Sequence, residues 1–124
     1  MNKTNLLAFD SIGGLLVGPL VLAFREPLSG LERLPTKLLV ATGVANVVYG
    51  LYSGQLALRS KRGTGISRAE LHLLVVANAC WAVFCFVTAF SLRAQASWWG
   101  LAHLVGEGIY VGLLAWVERR VLLA

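Results

Sequence analysis

The sequence predicts an all-α integral membrane protein, folded as a bundle of four transmembrane helices. Its 124 residues are 57% hydrophobic and only 14% charged, with a mean hydropathy of +0.72, which is too apolar for a water-soluble domain of this size. Apolar runs of about 20 residues, the length that crosses a hydrocarbon core of about 30 Å, occupy nearly the whole chain. We therefore expect one transmembrane domain over residues 1–124 and no separate soluble domain.

The four helices are located by their apolar runs and by the polar segments between them. We predict helices over residues 5–24, 36–58, 68–92 and 97–118. The segment from Arg25 to Pro35 contains two prolines and charges of both signs, and we assign it to a connection. Ser67 and Glu70 form a capping-box pattern, in which each side chain accepts a hydrogen bond from the other residue's backbone N–H. This pattern marks the start of the third helix.

The basic residues predict that both termini lie in the cytoplasm. Seven of them fall at one end of the bundle: Lys3, Arg59, Lys61, Arg62, Arg68, Arg119 and Arg120. Four fall at the other end: Arg25, Arg33, Lys37 and Arg93. Because lysine and arginine concentrate on the cytoplasmic side of membrane helices, we expect a multi-pass protein of the inner or plasma membrane. The net charge of +5 then reflects membrane anchoring, and we predict no nucleic-acid partner.

Each predicted helix carries one strongly polar residue inside the membrane region. Asn46, Asn78 and Glu107 fall near the middle of their helices, while Asp10 lies nearer the cytoplasmic end of the first helix. A carboxylate that faces lipid costs free energy, so these groups should turn toward one another. His103 lies one turn before Glu107 on the same helix face. We predict a midplane cluster of these five residues that binds an ion or a substrate.

A short pattern recurs in three of the helices, in which a polar residue is followed three positions later by an aromatic residue. The pairs are Asn46 with Tyr49, Asn78 with Trp81, and Glu107 with Tyr110. An ancient duplication and coincidence in an apolar sequence both explain this pattern.

Glycines at four-residue spacing predict close helix packing, because small residues let membrane helices approach one another. The pairs are Gly14 with Gly18, Gly50 with Gly54, and Gly108 with Gly112. The first two pairs share a helix face with Asp10 and Asn46, respectively. The third pair lies on a different face from Glu107, and we interpret that face as a candidate dimer seam.

Three functions remain open from the sequence. The leading prediction is a homo-oligomeric transporter or channel for a proton-coupled or cationic small solute, in which buried Glu107 exchanges protons. An accessory subunit of a larger membrane complex is the main alternative, with the polar residues serving packing alone. A membrane enzyme acting on a lipid or isoprenoid is the third. We predict no catalytic residue, metal or cofactor, because the sequence offers no nucleophile–base pair and no complete metal site.

Overall fold

The computed structural model describes residues 2–124, which form five α-helices and no strand. The helices are α1 (Lys3–Ala23), α2 (Arg25–Glu32), α3 (Thr36–Lys61), α4 (Arg68–Ser91) and α5 (Trp98–Leu122). The predicted all-α class is confirmed. Helices α1, α4 and α5 are long and apolar enough to cross a membrane, as expected of a membrane protein. Helix α3 has 26 residues but is less apolar than these three.

The main difference from the predicted elements is the short helix α2, which lies in the segment assigned to a connection. Pro27 is the third residue of this helix, a first-turn position where its missing N–H breaks no helical hydrogen bond. Helix α2 stops at Arg33, which adopts a left-handed conformation with φ of 54°. Helix α5 also differs, because it continues one turn past the predicted end, to Leu122.

Side-chain caps fix where three of the helices begin. The Ser67 hydroxyl accepts a hydrogen bond from the Glu70 backbone N–H at 3.1 Å, and Glu70 Oε1 accepts from the Ser67 N–H at 3.1 Å. The predicted capping box at the start of α4 is therefore confirmed. Asn2 caps α1 and Ser97 caps α5 through equivalent bonds to the backbone, which satisfy N–H groups that have no partner inside the helix.

Helices α1 and α3 pack against each other in antiparallel fashion along the length of α1. Near one end, the hydroxyls of Thr4 and Ser60 lie 2.6 Å apart. Near the other end, a Cβ added to Gly18 would lie 2.8 Å from the carbonyl oxygen of Gly43. In the middle, a side chain at Gly14 would collide with the backbone of α3. The small residues thus set the close approach of these two helices.

Helix α5 packs against α4, and its glycine pair faces that helix. A Cβ added to Gly108 would lie 3.0 Å from the ring of Phe86, and one added to Gly112 would lie 3.6 Å from the Cβ of Ala82. The interpretation of this face as a dimer seam therefore needs correction, because α4 of the same chain covers it. The spacing of the glycines identifies a contact face but does not reveal its partner.

Two apolar cores lie at opposite ends of the bundle. The core at the end that holds both termini includes Leu6, Leu7, Leu56, Leu71, Leu74, Leu114 and Leu122. The core at the other end includes Val21, Leu34, Leu39, Ala89 and Leu104. The α1–α3 pair meets the α4–α5 pair through side chains, and the buried polar groups described next lie where these pairs meet.

Candidate functional site

Glu107 lies at the centre of a polar group that joins α3, α4 and α5. The Asn46 side-chain amide donates a hydrogen bond to Glu107 Oε1 at 2.7 Å, and the Trp81 indole N–H donates to the same oxygen at 3.1 Å. His103 Nε2 lies 3.5 Å from Glu107 Oε2. We refer to these four residues, together with Glu32, as the Glu107 cluster.

The two carboxyl oxygens of Glu107 have different surroundings. Oε1 accepts the two hydrogen bonds just described, whereas Oε2 is buried and accepts none from the residues that the structure describes. The Glu107 side chain is only 9% exposed. A buried acceptor without a donor costs free energy, and the cost is greater for a charged oxygen. Oε2 is therefore the atom where a proton or a cation would be most stabilising.

His103 lies between two carboxyl groups. Its Nδ1 is 2.9 Å and 3.0 Å from the two oxygens of Glu32, while its Nε2 faces Glu107. Glu32, from α2, is only 5% exposed. An imidazole takes up a proton on one ring nitrogen and releases one from the other. The order Glu32, His103, Glu107 is thus suited to passing a proton along the cluster.

Hydrogen bonds between α2 and the start of α5 hold Glu32 in place. The Ser97 backbone N–H donates to the Glu32 carbonyl at 2.9 Å, and the Ser97 hydroxyl donates to the Leu31 carbonyl at 2.7 Å. Gly100 lies directly beneath the Glu32 carbonyl, where any side chain would collide with it. These contacts therefore hold the end of α2, and with it Glu32, next to His103.

A groove of about 600 Å³ lies between α1 and α5, next to Glu107. Its polar floor consists of Asn46, His103 and Glu107. The remaining lining is apolar or small: Phe9, Ile12, Gly13, Leu16, Val17, Ala102, Gly106 and Tyr110. Ile12 and Leu16 are 59% and 60% exposed, so the groove opens to the side of the bundle. We refer to it as the α1–α5 groove.

A second polar group, the Glu118 cluster, consists of Glu118, Asn78 and Asp10. The Asn78 amide donates to Glu118 Oε2 at 3.1 Å and to Asp10 Oδ2 at 3.2 Å. Exposure is 0% for Glu118, 1% for Asn78 and 5% for Asp10. Glu118 lies eleven residues after Glu107, or about 16 Å farther along α5, toward the end that holds both termini.

The structure divides the five residues of the predicted cluster into two groups. Asn46 and His103 lie with Glu107, as expected, whereas Asn78 lies with Asp10 in the Glu118 cluster. The expectation of one shared cluster therefore needs correction. Helix ends predicted from sequence give the depth of a residue in the membrane only to within about one turn. In addition, Asn78 donates a hydrogen bond to Glu118, which was not among the predicted site residues.

Sequence reasoning missed three residues that belong to these clusters. Glu118 was not predicted to belong to a cluster, although an eleven-residue spacing returns to the same helix face as Glu107. Trp81 occurs in the recurring polar–aromatic pattern, but that pattern does not predict that its indole N–H donates a hydrogen bond to Glu107. Glu32 carries no signal in the sequence, because its position depends on the path of α2.

Within the described part of the chain, no three His, Cys, Asp or Glu residues are grouped so that they could hold a metal ion. Comparisons with protein-family models, curated proteins and solved structures found no match to this chain. The geometry of the two clusters and the groove is therefore the basis of the function proposed next.

Proposed function

We propose that this protein is a membrane transporter in which Glu107 binds a proton and a cationic solute in alternation. The observation that supports the proposal is that Glu107 lines the α1–α5 groove and that its buried Oε2 has no hydrogen-bond donor among the described residues, with His103 Nε2 3.5 Å away. His103 can balance the charge of only one of the two carboxyls that it contacts, and inside a membrane an ionised carboxyl without a counter-charge is expensive. A proton and a cation each remove that cost at the same atom. Their occupancy is therefore mutually exclusive, which is the basis of exchange.

The proposal includes four membrane spans, with α3 as the fourth. Helix α3 is about 39 Å long at 1.5 Å per residue, and it lies beside α1 from one end to the other. Its polar residues Thr42 and Ser53 are 1% and 0% exposed. Its exposed face carries Val40, Val44, Val48, Leu51 and Leu58. An apolar outer face with inward polar groups is suited to lipid. The distribution of basic residues then places both termini in the cytoplasm.

In this proposal, protons reach Glu107 through Glu32 and His103. Glu32 lies at the end of the bundle away from the termini, next to the connection between α4 and α5. The imidazole ring faces it on one side and faces Glu107 on the other. Protonation of His103 on one nitrogen and release from the other would move a proton inward without movement of the backbone.

We further propose that the transporter works as a homo-oligomer, because a four-helix bundle encloses little space for a pathway. Purification in mild detergent tests this part separately. A homo-oligomer is the expected result. Stable co-purification with a different membrane protein would contradict it and would favour the accessory-subunit alternative.

The central test is Glu107→Gln in proteoliposomes that contain a trapped pH-sensitive dye. Tetramethylammonium and benzyltrimethylammonium, which are permanent cations and carry no proton themselves, are added outside in turn. We expect at least one of them to drive proton release from wild-type vesicles. We expect Glu107→Gln to reduce this release by about tenfold or more, since a neutral amide neither exchanges a proton nor binds a cation.

Glu26→Gln is the matched control, because Glu26 is an exposed carboxylate on α2 outside both clusters. It should retain wild-type proton release. Elution of each variant from size exclusion at the wild-type volume checks that it is folded. Proton release that is undiminished in Glu107→Gln, or absent from the wild type with both cations, would contradict the proposed function.

A further inference from the structure

We infer that the α1–α5 groove binds a lipophilic organic monocation that reaches Glu107 from the bilayer, a substrate class that rests on the transport function proposed above. The inference combines the charge of the floor, the chemistry of the walls and the side on which the groove opens.

The charge of the floor favours a cation. The Glu107 cluster contains two carboxyl groups, Glu32 and Glu107, but only one imidazole, His103. Even with an imidazolium, one negative charge remains when both carboxyls are ionised. The described residues that line the groove include no lysine or arginine. An anion would therefore meet uncompensated negative charge, while a cation would neutralise it.

The small number of polar groups argues against a bare metal ion. A hard cation such as Ca²⁺ takes six to eight oxygen ligands, and the floor offers one carboxyl group beside an amide and an imidazole. An organic cation has no such demand. It requires one counter-charge and apolar contact for its substituents, and both are present.

The walls provide that apolar contact. Phe9, Ile12, Leu16 and Tyr110 line the groove, and each is at least 40% exposed on the outside of the bundle. In a membrane, this surface faces acyl chains. The volume of about 600 Å³ lies within the range that suits small organic ligands. The rings of Phe9 and Tyr110, whose centroids are 6.1 Å apart, also offer aromatic faces to a cationic group.

Gly106 leaves space in the groove for a ligand, and a larger residue at this position would fill that space. A Cβ added at Gly106 would meet no atom within 4 Å, so a larger side chain fits the fold and extends into open space beside Glu107. Replacing a helical glycine also favours the helix. Gly106→Leu should therefore fill the groove without unfolding the protein. Ala102→Leu, one turn away on the same wall, serves as a second blocking variant.

The test compares two cations that share a charged head, tetramethylammonium and benzyltrimethylammonium. Binding is measured by calorimetry on the full chain in lipid nanodiscs, with empty nanodiscs as the blank. We expect the benzyl compound to bind about tenfold more tightly or better, because its ring is removed from water. Gly106→Leu should weaken the binding of benzyltrimethylammonium about tenfold. The weaker binding of the charged head group, which the two cations share, should remain. Glu107→Gln should weaken the binding of both cations.

Val105→Leu is the matched control, since Val105 is an exposed neighbour that does not line the groove. It should bind both cations like the wild type. Equal affinity for the two cations, or unchanged binding in both blocking variants, would overturn the inference. A change of oligomeric state in Gly106→Leu with unchanged cation affinity would also overturn the inference, because it would show that the groove contacts a second copy of the chain. These outcomes are independent of the proton release in Glu107→Gln, which tests the proposed function.

Discussion

Asn46 and Asn78 each hold buried carboxyl groups through hydrogen bonds from a neutral amide. An arginine or lysine in the same place would cancel the charge of the carboxylate, but an amide only solvates it. The basic residues of this chain lie instead near the ends of the helices and in the connections between them. His103 can balance only one of the two carboxyls that it contacts, Glu32 and Glu107, so the other buried acids are left to find a proton or a ligand as their counter-charge. This arrangement is suited to exchange and poorly suited to a fixed structural ion pair.

At the residue scale, we predict that Asn78→Ala destabilises the protein by about 1 to 2 kcal/mol, because Glu118 and Asp10 lose their shared donor. The measurement is thermal or denaturant unfolding in detergent. Cys80→Ala, at an exposed position on the same helix, is the control and should be nearly neutral. Equal stability of the two variants would mean that the Asn78 hydrogen bonds do not contribute to the stability of the protein.

The contact between α1 and α3 is the best-defined packing feature at the element scale. Glycines on both helices bring the two backbones together, and the Ser11 hydroxyl donates across the contact to the Gly50 carbonyl at 2.7 Å. With α3 in lipid, as proposed, no hydrophobic force drives the two helices together, and such close packing and hydrogen bonding are then what hold the pair together. Helix α3, the least apolar of the four long helices, thus depends on α1 for its place in the bundle.

We predict that Gly14→Leu separates α1 from α3 and destabilises the protein by about 1 to 3 kcal/mol or more, since its side chain would meet the α3 backbone. Unfolding in detergent and the yield of folded protein are the measurements. Gly30→Leu is the control, because a Cβ at Gly30 on α2 meets no atom within 4 Å. If both variants unfold alike, close packing at Gly14 is not what holds the pair.

The sequence was sufficient to predict the elements whose cause is local. Apolar runs located the four long helices, and the Ser67 and Glu70 pair located the start of α4. Helix α2 was not predicted, because its segment contains two prolines and charges of both signs, although Pro27 lies where a helix tolerates it. Among the site residues, the association of His103 with Glu107 follows from one turn of helix. The positions of Glu32 and Asn78 depend on how separate helices pack, which no local pattern encodes.

At the scale of the whole molecule, the two polar clusters lie at different depths, about 16 Å apart along α5. The Glu107 cluster borders the α1–α5 groove, while the Glu118 cluster is enclosed among α1, α4 and α5. The first is therefore placed to meet a ligand and the second is not. The proposed pathway accordingly uses Glu107 for binding.

The proposed topology gives a prediction for the whole chain. In a background of Cys80→Ala and Cys85→Ala, single cysteines are introduced as Thr64→Cys and Gln95→Cys, both at exposed connections. A membrane-impermeant maleimide applied to intact cells should label position 95 and not position 64. Labelling of both positions from one side would show that α4 does not cross the membrane. Labelling of position 64 alone would place the termini outside.

The hydrogen bond from the Trp81 indole to Glu107 has an optical consequence. The emission of an indole responds to nearby charge, and this indole touches the carboxyl that gains and loses charge in the proposed cycle. The other three tryptophans, Trp98, Trp99 and Trp116, lie near the ends of α5 and are exposed. Trp81 is therefore a partly buried fluorophore in direct contact with Glu107, the group whose ionisation the proposed cycle changes.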